Sequence, residues 1–419
     1  ARTGRRDRAG PLQPSTGRIL TRLRNIRGKL GTPGRHLPSI MLAPFTVLLA
    51  ASIARVPQDE TPAYRPWIVE EVVSVLRETT SGGRETLATL ESELLPEARK
   101  ACSADEELRV AHRLLSAIPS SHVALFSKHA HDVFDHELLG EDAATLGFTL
   151  RRHDEGYAVV DVMAGGPASV ADLRCGDRVL AIDGVAVSES PRLGLRTDDA
   201  HLPDRASHWV LGETSESVRF TILRGSESLE VAVVVAPYSS LRGDRAGARV
   251  IEVDEQRIGY GRLTYMYRRD TSKLMRPWLE TTFLDCDGLV LDLRGRGGSQ
   301  IAMWAVMAMF KDDKSVWTKP VVVLVDRETR SAKELLAKWF QDKRRGTVVG
   351  ERTAGATRAG ALHPIGDDYF LMCPAEPFAD PEGLELVGLE PDVVVACTWP
   401  NATGGDAILE RGIEVLLAE

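Results

Sequence analysis

Apolar and polar positions recur along this chain with two different periods, and the breaks between them mark its organisation. Two runs, Gly288-Leu289-Val290-Leu291 and Val321-Val322-Val323-Leu324-Val325, are short, apolar and bounded by charged or glycine-rich turns, which predicts buried strands. After the second run Leu335, Leu336, Trp339 and Phe340 share helical spacing, so a helix is predicted from Ser331 to near Arg345. A further strand over 258–263, a helix over 272–284 and Val348-Val349 extend the pattern, and repeated strand–helix units predict a layered α/β core. Alternation at Val218, Phe220, Ile222 and at Val231, Val233, Val235 predicts antiparallel strands instead. From Pro62 to Ala117 three apolar stripes predict helices, led by Trp67, Val69, Val72 and Leu76, then Leu87, Leu90 and Leu94, then Leu108, Ala111 and Leu115. Pro119 stops the third, and a strand follows.

Charge divides the chain unevenly. Of 419 residues with net charge −8, the first 54 hold ten Arg or Lys and one acid, Asp7, so the remainder is strongly acidic. That balance argues against nucleic acid as a partner. The basic start runs into an apolar stretch, Leu37 to Ala51, followed by Ser52-Ile53-Ala54, and this succession reads as a secretion signal. It is short and proline-broken for a membrane span. The expectation is export to a periplasmic or extracellular space with a mature start near Arg55. The alternatives are a cytoplasmic protein with a loose basic tail, or a single uncleaved signal anchor as the one membrane contact. Five cysteines, at 102, 175, 286, 373 and 397, form no paired motif and no cluster with histidine, so neither a metal site nor a cofactor is expected.

Three positions carry candidate chemistry. Ser331 falls where strand becomes helix, beside backbone N–H groups and the positive end of the helix dipole, which can stabilise an oxyanion. Glu334 three residues on makes the same serine readable as a capping box. Gly297-Gly298 ends the preceding strand; the pair reads equally as a plain turn or as backbone that a substrate carbonyl approaches. His122 is distinguished by position alone, in Ser120-Ser121-His122 where the helical lead-in ends.

Taken together, Gly288 to Gly298, Ser331-Ala332, Val348 to Gly355 and Gly388-Leu389-Glu390-Pro391-Asp392 resemble, in motif and order, the carboxyl-terminal-processing (tail-specific) serine proteases. The likeness runs to the tricorn core proteases and the interphotoreceptor retinoid-binding protein. Leu146-Gly147-Phe148, Gly165-Gly166-Pro167-Ala168, Gly176-Asp177 and Asp183-Gly184 similarly resemble a PDZ domain. The resemblance implies an α/β, crotonase- or Clp-protease-like spiral of ββα units with an inserted PDZ-like β domain. It divides the chain into a basic extension and signal (1–61), a helical segment with the Ser-His element (62–144), the PDZ-like domain (145–237) and the protease core (238–419). It implies Ser331 as nucleophile, with Ala332 and Gly297 or Gly298 supplying oxyanion N–H donors. The PDZ loop at Leu146, Gly147 and Phe148 would bind a peptide carboxylate, making protein or peptide substrates, among them C-terminal tails, the expected partners.

The base departs from the commonest pattern. Where the Ser/Lys proteases carry lysine after Gly-Glu-x-Thr, this chain has Ala356, so no lysine is available there. In the tricorn-like branch a histidine, the serine before it and a glutamate ahead of Gly-x-x-Pro-Asp complete a tetrad, and His122, Ser121 and Glu385 match those positions. Two readings stay open: a histidine-dependent serine endopeptidase, and a catalytically inactive peptide- or ligand-binding protein of the same fold. Asp326 to Arg330 also replaces the small, glycine-containing run usual before the nucleophile, and Ser299 an amide after the glycine pair.

Overall fold

The computed structural model describes residues 64–419 apart from 80–83, 154–155, 197–206, 312–314, 376–382 and 397–402. The basic extension, the signal-like run and Cys397 lie outside the described residues.

The strand Val321–Val325 is buried at every position. Val321, Val323 and Val325 pack on one side with Leu289, Leu291, Leu336 and Phe340, while Val322 and Leu324 pack on the other with Val290, Ile408 and Leu416. Burial on both faces is why the run is continuously apolar rather than alternating. It lies inside a six-stranded sheet ordered Arg249–Val253, Gln256–Arg262, Gly288–Asp292, Val321–Val325, Thr347–Gly350, Val393–Val394, in which the first pair alone is antiparallel. Thr271–Pro277, Gln300–Phe310 and Ala332–Asp342 cover one face, and the helix Ala407–Ala418 covers the other. This is the layered α/β core that strand–helix repetition predicts. The helix expected over 272–284 differs: Pro277 has no N–H to give, and the chain widens beyond it into a π turn, Trp278–Thr282, with Phe283 N–H donating to Trp278 O at 2.8 Å.

The lead-in forms three helices, Ile68–Thr79, Arg84–Ala98 and Ala104–Ser116, the last capped by Ser103, whose hydroxyl accepts from Glu106 N–H at 3.3 Å. They pack on two strands from much later in the chain, Gly360–Ile365 and Tyr369–Pro374. Ala124–Ser127 joins these antiparallel, with Leu125 opposite Leu371. The helix Lys128–Leu139 lies in a stretch for which the sequence pattern above predicts no element. It has no fully buried residue, and it docks by Phe134 against Phe126 and by the His131 ring 3.9 Å from Phe370.

Residues 148–234 build a separate β-sheet ordered Glu227–Val234, Ser217–Arg224, Arg178–Ile182, Gly156–Val162, Phe148–His153, Ser207–Val210, Leu193–Arg196. Its core contains Leu150, Val159, Val218, Phe220 and Ile222. Charged groups join this sheet to the α/β core: Arg262 reaches Asp161 at 2.6 Å, Arg296 donates to Thr149 Oγ1 at 3.2 Å, and Arg151 pairs with Glu328. Cys102, Cys175, Cys286 and Cys373 are all unpaired, and Cys286 and Cys373 are buried.

Candidate active site

Ser331 immediately precedes the helix Ala332–Asp342 with φ 57° and ψ −131°. A residue with a side chain held there costs on the order of 1–3 kcal/mol, and such strain concentrates at functional turns. The surroundings fix it: Ser331 N–H donates to Ala356 O at 2.8 Å and to the Glu334 carboxylate at 3.0 Å. In the first helical turn the N–H groups of Lys333, Glu334 and Leu335 go to Arg330 O and Ser331 O, and Ala332 N–H is the donor left outside that set. Gly297 backs onto the serine, since a Cβ there would stand 3.0 Å from Ser331 Cβ. At Gly298, φ 146°, a Cβ would come within 2.5 Å of Met266 N, so glycine alone fits the close pairing with Met266.

Both strand ends converge here, as expected for parallel sheets, whose sites form outside the carboxyl ends of the strands. The charged run before Ser331 is itself structural. Asp326 Oδ1 accepts from Gly295 N–H at 2.9 Å, Glu328 N–H at 3.0 Å and Thr329 N–H at 2.8 Å, which ties the loop before Ser331 to the glycine turn.

Glu334, readable from sequence only as a cap, does more. Fully buried, its carboxylate accepts from Thr353 Oγ1 at 2.5 Å, Gly355 N–H at 2.7 Å and Ala356 N–H at 2.8 Å as well as from Ser331. Burial pushes its pKa up, opposed by those donors. Ala356, standing where the related lysine would be, is thus used through its backbone, holding Glu334 with its N–H and Ser331 with its C=O.

On the far side of the same loop lies the second group. Glu385 accepts from Thr357 N–H at 3.0 Å, Arg358 N–H at 3.2 Å, Ser121 N–H at 2.8 Å and Ser121 Oγ at 3.1 Å. Ser121 Oγ stands 2.9 Å from His122 Nδ1. Because the single Ser121 proton goes to Glu385, its oxygen accepts from Nδ1–H, which leaves Nε2 as the basic nitrogen. His122 has φ 57° and is 8% exposed, and its ring packs 3.1 Å from the Cβ position of Gly360. Residues 356 and 357 therefore link Ser331 on one side to Glu385, Ser121 and His122 on the other.

Lys333, two residues on from Ser331, turns its side chain into the core. Its buried Nζ donates to Thr264 O at 2.9 Å and Arg294 O at 3.2 Å. Burial, then the Arg262 charge, lowers its pKa to about 7. Near it Asp244 accepts from Thr264 N–H at 2.8 Å and Tyr267 OH at 2.6 Å, with its pKa raised by burial to about 6. Helical spacing alone has Lys333 pointing away from Ser331, but nothing local in the sequence marks it, or Asp244, as buried.

Leu146, Gly147 and Phe148 stand apart from this cluster, and Gly147 N–H is taken by Thr145 Oγ1 at 2.9 Å. Among the described residues no group of three or more His, Cys, Asp or Glu is arranged to hold a metal ion. No helix among them is long and apolar enough to cross a membrane.

Two parts of the chain match models of known protein families. Residues 310–395 match peptidase family S41, and residues 144–235 match the PDZ domain. The chain is 26% identical over 263 residues to a chloroplastic C-terminal processing peptidase of Tetradesmus obliquus, covering 55% of this chain and 54% of that protein. It is 27% identical over 261 residues to a carboxyl-terminal-processing protease of Synechocystis, covering 56% of this chain and 57% of the relative. The chain thus spans a little over half the length of these curated relatives. The solved structure of a photosystem II D1 C-terminal processing protease shares the fold with TM-score 0.51 at 20% identity, over 78% of this chain and 92% of that one. A PDZ-matching segment followed by a segment matching peptidase family S41 is thus what this chain has in common with the carboxyl-terminal-processing proteases.

Proposed function

We propose that this chain is a serine endopeptidase acting on protein or peptide substrates, with Ser331 as nucleophile and His122 as general base. The observation that carries the reading is the hydrogen-bonded chain Glu385–Ser121–His122, joined to Ser331 through Ala356 and Thr357. Ser331 Oγ attacks the scissile carbonyl while His122 Nε2 takes its proton, then returns it to the leaving amine; water completes the cycle by the same route. Glu385 and Ser121 act on the imidazole, fixing its tautomer and stabilising the imidazolium. The N–H of Ala332 and one from the Gly297-Gly298 turn meet the developing oxyanion.

The non-catalytic alternative drew its strength from Ala356. That position is accounted for by Glu334 and Ser331, and an imidazole base makes a lysine there unnecessary. Labelling by a fluorophosphonate probe tests the proposal: the wild-type chain should label and Ser331→Ala should not, and labelling that persists in Ser331→Ala sinks the assignment. Export belongs to the same proposal, on the apolar run from Leu37 and the small residues Ser52 and Ala54; its test is the mature N-terminus.

A further inference from the structure

A PDZ domain binds an extended peptide as an added antiparallel strand, with the free carboxylate at the glycine loop and alternate side chains in pockets. In this chain the loop is Leu146-Gly147-Phe148, so the receiving strand is Phe148–His153. One edge of that strand pairs with Gly156–Val162, as the sheet requires. The other edge, which a ligand would take, pairs antiparallel with Ser207–Val210, placing Leu150 opposite His208 and Arg151 opposite Ser207. Continued two residues further, that register brings Val210 toward Phe148, and Val210 is buried in one cluster with Leu146, Phe148 and Val235. A short branched apolar side chain thus sits where a C-terminal residue would be received.

The occupying strand is built in. Ser207 and Val210 are buried, and the His208 ring meets Tyr157 edge-on at 5.1 Å. Leu193–Arg196 pairs on its outer side, and only a glycine at 194 leaves room for the Trp209 indole. Arg192 fastens the base: Leu211 N–H donates to its carbonyl at 2.8 Å, and its guanidinium reaches Leu211 O at 3.1 Å and Asp183 at 2.8 Å. The Gly147 N–H, a donor suited to a terminal carboxylate, is meanwhile satisfied by Thr145 Oγ1 at 2.9 Å.

We propose that Ser207–Val210 is an internal ligand of the PDZ groove, held in the position and direction of a bound C-terminal peptide, so that an incoming tail binds this groove only by displacing it. The groove is then closed to tails in the resting chain. A cavity of about 170 Å³ between Phe148, Val210, Trp209 and Tyr238 leaves space beside the strand rather than a free strand edge. The inference rests on the PDZ reading of this region and not on the hydrolytic one, because peptide binding is read directly.

The test uses the full-length chain and a fluorescein-labelled hexapeptide ending in Ser-His-Trp-Val with a free carboxylate. His208→Pro removes a ladder N–H and evicts the strand. The expected result is anisotropy binding at least tenfold tighter to His208→Pro than to the wild-type chain, lost when the peptide is amidated. Equal affinity for both proteins, or no binding by a folded His208→Pro, overturns the proposal. Should that variant fail to fold, hydrogen exchange of the wild-type chain decides. Residues 207–210 should exchange as slowly as Phe148–His153, and complete exchange within seconds would show an open edge.

Discussion

Two candidate catalytic residues, Ser331 and His122, both adopt positive φ, and Leu386 beside Glu385 does so as well. Nothing in an amino-acid sequence marks a serine, histidine or leucine for that conformation, so the strain at the site was invisible until the fold imposed it. The assignment separates roles by magnitude. Nucleophile and base act as a unit, so His122→Ala should lower kcat/KM nearly as far as Ser331→Ala. Glu385→Gln keeps the geometry but weakens imidazolium stabilisation, and its loss should be smaller by one to two orders of magnitude, roughly 1.4 kcal/mol per tenfold. Steady-state kinetics on a fluorogenic peptide measures all three, and a His122→Ala enzyme retaining most activity refutes the tetrad.

Among the elements, the helix Ala332–Asp342 carries three separate tasks in its first turn and the residue before it. Ser331 faces the site, Lys333 is buried against backbone carbonyls, and Glu334 fastens the loop 353–356. The spacing of Leu335, Leu336, Trp339 and Phe340 and the Ser331–Glu334 cap are legible in the sequence, but the burial of Lys333 and Glu334 is not, because amphipathic period reports which face is apolar and not which polar residue is buried on it. Burial lowers the Lys333 pKa to about 7, whereas an unfolded lysine titrates near 10.4. Between these values the unfolded chain holds a proton that the folded chain has released, so this group makes stability rise with pH. Urea midpoints of the wild-type chain relative to Lys333→Met should therefore improve from pH 7 to pH 9.5. Parallel pH dependence of the two proteins would remove the buried-lysine account. Because an ammonium poised near 7 would mimic a histidine in a pH–rate profile, activity surviving in Lys333→Met is the sounder evidence for an imidazole base.

For the whole molecule, the site depends on chain segments joined over long separations. Ala124–Ser127 pairs with Tyr369–Pro374, and Ser121 bonds to Glu385, so the helical lead-in delivers its histidine by docking on strands from the far end of the chain. The PDZ-matching sheet meets the loop before Ser331 through Arg151 and Glu328, beside a cavity of about 270 Å³. At this scale belongs the export proposal as well. N-terminal sequencing of protein from the producing cell should find a start near Arg55; a start at or before Met41 in a soluble cytoplasmic fraction excludes a cleaved signal.

The sequence by itself determined the α/β core, the strand-to-helix position of Ser331, the glycine turn and the lead-in helices, because each follows from local period, caps and turn residues acting over a few positions. It also carried the motif order from which His122, Ser121 and Glu385 were inferred by resemblance. What only the tertiary structure decided is how those groups meet: the tautomer set by the Ser121–Glu385 bond, the loop held by Glu334, the burial of Lys333 and Asp244, and the filling of the Phe148–His153 edge by Ser207–Val210. Each of these depends on contacts between residues distant in sequence, and no local periodicity encodes which strand edge or buried charge a distant segment will satisfy.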